Sequence, residues 1–110
     1  MTIYEDVLRA HKTIAVVGLT SDETRPSHRV AAYLQANGYR IIPVNPNEQE
    51  VLGERAYPSL RDIPEHVEFV DVFRRPEHVP PVVDDAIAIG AKVLWMQDGI
   101  VHEEAASKAR

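Results

Sequence analysis

Residues 13–28, TIAVVGLTSDETRPSH, constrain the fold more than any other stretch. A continuous apolar segment, Ile14-Ala15-Val16-Val17, runs through Gly18 into a short polar loop, and Arg25-Pro26-Ser27 then opens a helical pattern. An apolar run without alternation suits a strand covered on both faces, and such strands belong to parallel sheets whose crossovers are helices. Just past the turn come the first N–H groups of the helix, which lack partners within it and sit at the positive end of its dipole. Strand, turn and helix together suit a phosphate group.

The rest of the chain repeats the alternation. Residues 3–10 place Ile3, Val7 and Leu8 on one face of a short amphipathic helix, and residues 13–19 form the first strand. A helix over 26–37 gathers Val30, Tyr33 and Leu34 on one stripe and closes at Gly38, a residue suited to a left-handed stop. Residues 40–44 read as a strand, 45–47 as a turn, and Pro58-Ser59 as the start of a short helix capped by Ser59 and ended by Pro64. Residues 68–73 are strand-like, with Asp71 out of place on either face. A helix over 80–89 turns Val83, Ala86 and Ile87 inward and stops at Gly90. A strand over 92–96, a turn over 97–99 and a helix over 102–110 complete the pattern. The expected fold is α/β: a Rossmann-like three-layer α/β/α domain with an open, mainly parallel sheet and right-handed crossovers. With 110 residues the chain fits one domain, residues 1–110. Its final helix stops without a following strand, so the domain is expected to lack a C-terminal strand.

Several function classes are disfavoured. Seventeen acidic against twelve basic residues, a formal charge of -5, argues against nonspecific nucleic-acid binding, which rests on Lys and Arg neutralising phosphates. Without cysteine there is no disulfide, thiolate nucleophile or Cys-based metal site. No apolar run approaches the roughly 20 residues needed to span a bilayer, and the N-terminus lacks signal-peptide character, so the expected setting is cytoplasmic, without a membrane partner. The first turn contains one glycine, Gly18, not G-x-G-x-x-G, and the second strand ends in Val44-Asn45-Pro46 without the acidic residue that holds a ribose; an NAD site is disfavoured. The P-loop and G-x-S-x-G patterns are also absent. The five histidines show no metal-ligand spacing, and Asp71 with Asp98 reads better as a sheet-end ion pair and a turn residue than as catalytic carboxylates.

In an open parallel sheet, ligands bind beyond the carboxyl ends of the strands. Those ends collect Arg25, Arg29, Arg74 and Arg75, and guanidinium groups grip phosphate oxygens through paired hydrogen bonds. The competing reading pairs these arginines with Asp22, Glu23 and Glu77 on a solvated face. His28 and Ser27 are equally two-sided. His28 serves the helix start or contacts a phosphate or ribose, and Ser27 beside Pro26 caps the helix or meets a ligand. Met96 reads as core, close enough to the rim to touch a ligand.

The blocks R-P-S-H, P-V-N-P, L-G-x-x-x-Y-P-S-L, D-V-F-R and W-x-Q-x-G-I, spread over nearly the whole chain, resemble those of bacterial and archaeal CoA-binding domain proteins. These are small stand-alone relatives of the N-terminal domain of the succinyl-CoA synthetase alpha subunit. Family members usually continue into another strand and a terminal segment, so this chain resembles a shortened version. The resemblance implies coenzyme A, or an acyl-CoA, lying across the strand ends. Its pyrophosphate would lie over Gly18, Leu19, Thr20 and Ser21, with Arg25, Pro26 and Ser27 nearby. Asn45 and Pro46 would face the ribose or adenine end, Phe73 and Arg74 would flank the nucleotide, and Met96 and Gln97 would meet the part leading to the pantetheine arm. The phosphorylated histidine of the synthetases belongs to another domain, and nothing here replaces it. The expected function is therefore reversible binding without catalysis. Two alternatives stay open: an NAD(P)-dependent oxidoreductase or CoA-thioester transferase, and an interaction scaffold with a vestigial nucleotide pocket. No metal is implied, and no protein partner is named.

Overall fold

The computed structural model describes residues 13–96. Its strands β1 (Thr13–Val17), β2 (Arg40–Val44), β5 (Phe69–Val72) and β6 (Val93–Met96) form one parallel sheet in the order β2-β1-β5-β6. Helix α1 (Pro26–Ala36) connects β1 to β2, and α2 (Val79–Ala88) connects β5 to β6. From β1 the chain first steps one way along the sheet and later returns to step the other way. Crossovers of one hand then place the two helices on opposite faces. The core divides accordingly: Ile14 and Val16 of β1 pack with Ala31 and Leu34 of α1, while Ala15 and Val17 share a cluster with Val79, Val83 and Ala86 of α2. The fold is thus the expected Rossmann-like α/β domain, a parallel sheet flanked by helices. The expected helices at 3–10 and 102–110 and the turn at 97–99 lie outside the described residues.

Two inward assignments are corrected. Tyr33 is 68% exposed and Ile87 44% exposed. The buried positions of α1 are Ser27, Ala31 and Leu34, and those of α2 are Val79, Val83 and Ala86, the same i, i+4, i+7 spacing in both. Tyr33 precedes Leu34 by one residue and Ile87 follows Ala86 by one, a rotation of about 100° that carries each off the sheet. The sheet ladder of β1 ends at Val17, before Leu19, which is nonetheless fully buried beneath the loop on the α1 side.

Ser59 does not cap a backbone amide. Its hydroxyl donates to Asp62 Oδ2 at 2.9 Å beside a single 3-10 turn, Leu60–Asp62. Between β2 and that turn lies an unanticipated hairpin, β3 (Glu50–Val51) and β4 (Glu54–Arg55), whose tip residues Leu52 and Gly53 both have positive φ, 55° and 78°. Buried Val51 anchors it, and Gln35 of α1 donates to the Leu52 carbonyl at 3.0 Å. No described helix is long and apolar enough to cross a membrane.

Candidate functional site

The strand order reverses between β1 and β5, and there the loops after the two strands diverge to leave a crevice. Gly18 forms its floor. Its N–H donates to the Val44 carbonyl at 2.8 Å, and the Phe73 N–H donates to the Val17 carbonyl at 2.8 Å, so the turn is stitched to both neighbouring strands. A Cβ on Gly18 would lie 2.3 Å from the Phe73 carbonyl oxygen, and its φ is +89°. Only glycine lets the two strand ends approach this closely.

A cavity of about 690 Å³ occupies the crevice, lined by Gly18, Thr20, Arg25, Pro26, Ser27 and Val30 on one side and Val72, Phe73, Arg74 and Arg75 on the other. Pro26, Val30, Val72 and Phe73 give it an apolar wall. Three guanidinium groups and the start of α1 give it positive charge. Pro26 is the first helical residue and Arg25 occupies the cap position, with no side-chain cap and no acidic residue in the first turn. That places Ser27 inside the first turn, 4% exposed and lining the cavity, so of its two expected roles the helix cap is excluded. A helix start that carries an arginine instead of a carboxylate accumulates positive charge that an anion would neutralise. Asp22 offsets little of it, since its contact with Arg25 is long, 3.9 Å, and exposed. Among the described residues no carboxylate pairs with Arg74 or Arg75. Arg29 is exposed on α1 and does not line the cavity.

The residues named by resemblance divide. Gly18, Thr20, Arg25, Pro26, Ser27, Phe73 and Arg74 converge on the cavity. Leu19 is fully buried, Ser21 and Pro46 are exposed, and Met96 packs half-buried against the α2-side core; none of these lines it. Asn45 is buried and turned into the fold. Its Nδ2 donates to the Leu19 carbonyl at 3.2 Å and its Oδ1 accepts the Asn47 N–H at 2.9 Å, tying the turn after β2 to the loop after β1. Gln97 lies outside the described residues.

The loop itself is held by groups that sequence reasoning missed. Glu48 Oε2 accepts the Ser21 N–H at 2.8 Å, the Ser21 hydroxyl at 3.1 Å and the Thr20 hydroxyl at 3.1 Å. The Ser21 amide does most to hold the Glu48 carboxyl below its ordinary range; desolvation opposes it by more than either hydroxyl alone contributes, and the two hydroxyls add to the lowering. Asp22 Oδ1 accepts the Thr24 hydroxyl at 2.6 Å and the Thr24 N–H at 3.0 Å, and these bonds lower its carboxyl likewise. His28 Nδ1 lies 2.9 Å from the Thr20 carbonyl, so it donates there and the helix grips the loop from the other side. Nothing in the spacing of Glu48 announces this role. It follows from the pairing of β1 with β2, which aligns Val17 with Val44 and so brings the turn after β2 beside the loop.

Comparison with known proteins finds a family and several relatives. A family model described as "CoA binding domain" matches residues 12–110. The chain is 45% identical over 101 residues to the uncharacterized protein YneT of Bacillus subtilis, spanning 92% of this chain and 75% of that one. A solved structure of a hypothetical protein from Pyrococcus horikoshii superposes with a TM-score of 0.90 at 42% identity, covering 96% of this chain and 74% of the other. The ADP-forming acetate–CoA ligase II of Archaeoglobus fulgidus is 32% identical over 83 residues, which span 74% of this chain but only 12% of the ligase.

Proposed function

This chain belongs to the CoA-binding domain family, and on that premise we propose that it holds coenzyme A, or an acyl-CoA, reversibly in the crevice between β1 and β5 without transforming it. The observation that carries the reading is the coincidence, at the switch point, of an uncapped helix start with Arg25, Arg74 and Arg75 around one cavity. Coenzyme A carries a pyrophosphate and a separate ribose phosphate, which would occupy several guanidinium groups at once. The apolar wall of Val30, Val72 and Phe73 offers a surface for its adenine or its pantetheine arm. Gly18, Arg25, Pro26, Ser27, Phe73 and Arg74 would make the contacts. Leu19 and Asn45 would support the turn from within, and Met96 would lie toward the pantetheine arm. The match to the acetate–CoA ligase is confined to a small part of that enzyme, which fits a binding domain free of catalytic machinery.

Titration calorimetry of the purified chain with coenzyme A tests the reading. Saturable heat is expected, with Arg25→Ala and Arg74→Ala each weakening binding by roughly tenfold. Absence of heat and of any thermal shift at about millimolar ligand, a free energy near 4 kcal/mol, would overturn it.

A further inference from the structure

The loop after β1 presents its hydroxyl and amide donors to a carboxylate of its own chain. A serine or threonine hydroxyl has a single hydrogen, and a carboxylate can only accept. The Thr20 hydroxyl spends its hydrogen on Glu48 Oε2 and one lone pair on the Asp22 N–H, 3.2 Å away. The Ser21 hydroxyl and N–H are both directed to the same oxygen. A phosphate, itself an acceptor, therefore finds neither hydroxyl nor the Ser21 N–H available while Glu48 stays in place. Glu48 is not part of the cavity wall, and its own segment is held by Glu48 N–H donation to the Asn45 carbonyl at 3.2 Å. Asn45 in turn grips the Leu19 carbonyl. Two residues of the turn after β2 thus hold three successive residues of the loop, Leu19, Thr20 and Ser21, while His28 of α1 holds the Thr20 carbonyl from the opposite side.

We propose that Glu48 is a positioning residue for the binding site. It clamps the loop through Thr20 and Ser21 so that the cavity keeps its shape, and it keeps both hydroxyls turned to itself and away from the anion. Ser21 then acts on the ligand only through Glu48. The inference rests on the binding reading for its affinity effects, but the clamp itself can be observed without ligand.

The test is a double-mutant cycle on the full chain, with Glu48→Ala, Ser21→Ala, the double variant and the conservative Glu48→Gln, read by calorimetry with coenzyme A and by the Ser21 amide resonance of ligand-free protein. Glu48→Ala is expected to weaken binding roughly fivefold, the scale of charge-assisted hydrogen bonds discounted for exposure. Glu48→Gln, whose amide oxygen still accepts, should bind within about twofold of the parent or more tightly. Adding Ser21→Ala to Glu48→Ala should cost less than about twofold more, because a residue that works through another gives a non-additive cycle. The Ser21 amide resonance should move in Glu48→Ala and be largely retained in Glu48→Gln. Multiplying affinity losses in the double variant, or undiminished binding by Glu48→Ala, would overturn the proposal. A parent chain that binds no coenzyme A would defeat the binding reading and the affinity effects derived from it. A Ser21 amide unmoved by Glu48→Ala would defeat the clamp whether or not coenzyme A binds.

Discussion

Gly18 and Gly38 offer a matched pair for separating backbone strain from close approach. Their φ values are +89° and +90°, so an alanine at either suffers the same left-handed penalty, on the order of 1–2 kcal/mol. Part of that is offset, by about 0.4–1 kcal/mol, because alanine narrows the unfolded ensemble. At Gly38 nothing lies within 4 Å of the new Cβ, so Gly38→Ala should destabilise by about 1 kcal/mol. At Gly18 the Cβ would stand 2.3 Å from the Phe73 carbonyl oxygen and 3.1 Å from its carbon. An ordinary carbon–oxygen contact is roughly 3.3 Å, so the turn and the end of β5 must part by about 1 Å. That movement compromises the two 2.8 Å bonds which stitch the turn, Gly18 N–H to Val44 and Phe73 N–H to Val17, each contributing about 1 kcal/mol net. Gly18→Ala should therefore cost about 3 kcal/mol, some 2 kcal/mol beyond Gly38→Ala. Urea denaturation followed by circular dichroism measures both, and at roughly 4–8 °C per kcal/mol the melting temperatures should also separate clearly. Two variants within about 0.5 kcal/mol of each other would refute the claim that the approach of β5 to the turn is what requires glycine.

Burial gives a second contrast. Phe69→Ala, at the largest fully buried side chain, should destabilise by about 3–5 kcal/mol, whereas Ile87→Ala, on the exposed edge of α2, should stay within about 1 kcal/mol in the same denaturation experiment. If the arginines of the rim contact phosphates, coenzyme A affinity should fall with added salt, and Arg25→Ala or Arg74→Ala should flatten that dependence while unfolding midpoints hold, since the Arg25 side chain is 70% exposed. Glu48 and Asp22 both have lowered carboxyl values, so the loop bonds they make stabilise the fold above the ordinary carboxylate range and are lost as pH falls through the lower folded values. The Ser21 amide should accordingly hold its chemical shift down to the ordinary glutamate value of 4.5 and move only below it; a midpoint above 4.5 would contradict the bonding described.

The layers and most element positions were legible because each rests on a local signal. The apolar run at 14–17 has no polar face, and it became one of the two inner strands, with neighbours on both edges. Gly38 and Gly90 do stand just past helix ends with positive φ. What local signals missed was rotation and pairing. Tyr33 and Leu34 are both apolar enough to read as inward, but only the sheet decides which of two adjacent helical residues it covers, and it covers Leu34 and the small Ala31. The β3–β4 hairpin escaped notice because its tip is Leu52-Gly53, and leucine at positive φ is a conformation that no turn preference foretells. Asp71 read as an oddity and is fully buried in β5.

The candidate site was legible only as far as it depends on position along a strand. Residues following β1 and β5 were recognisable as rim residues from the alternation of strand and helix, and Arg25, Phe73 and Arg74 do meet around one cavity. That these two rims, and not those after β2 and β6, face each other across a crevice depends on strand order, which the alternation leaves open. Strand order also decides what becomes of the turn after β2. Placed beside β1 on the side away from β5, residues 45–48 stand behind the loop and not across the crevice from it, and Asn45 and Glu48 are accordingly spent on holding Leu19, Thr20 and Ser21. A polar turn at a strand end is thus a ligand contact or a brace for one according to which neighbour it has. In this fold the side of β1 facing β5 carries the cavity, and the side facing β2 supports the loop that borders it.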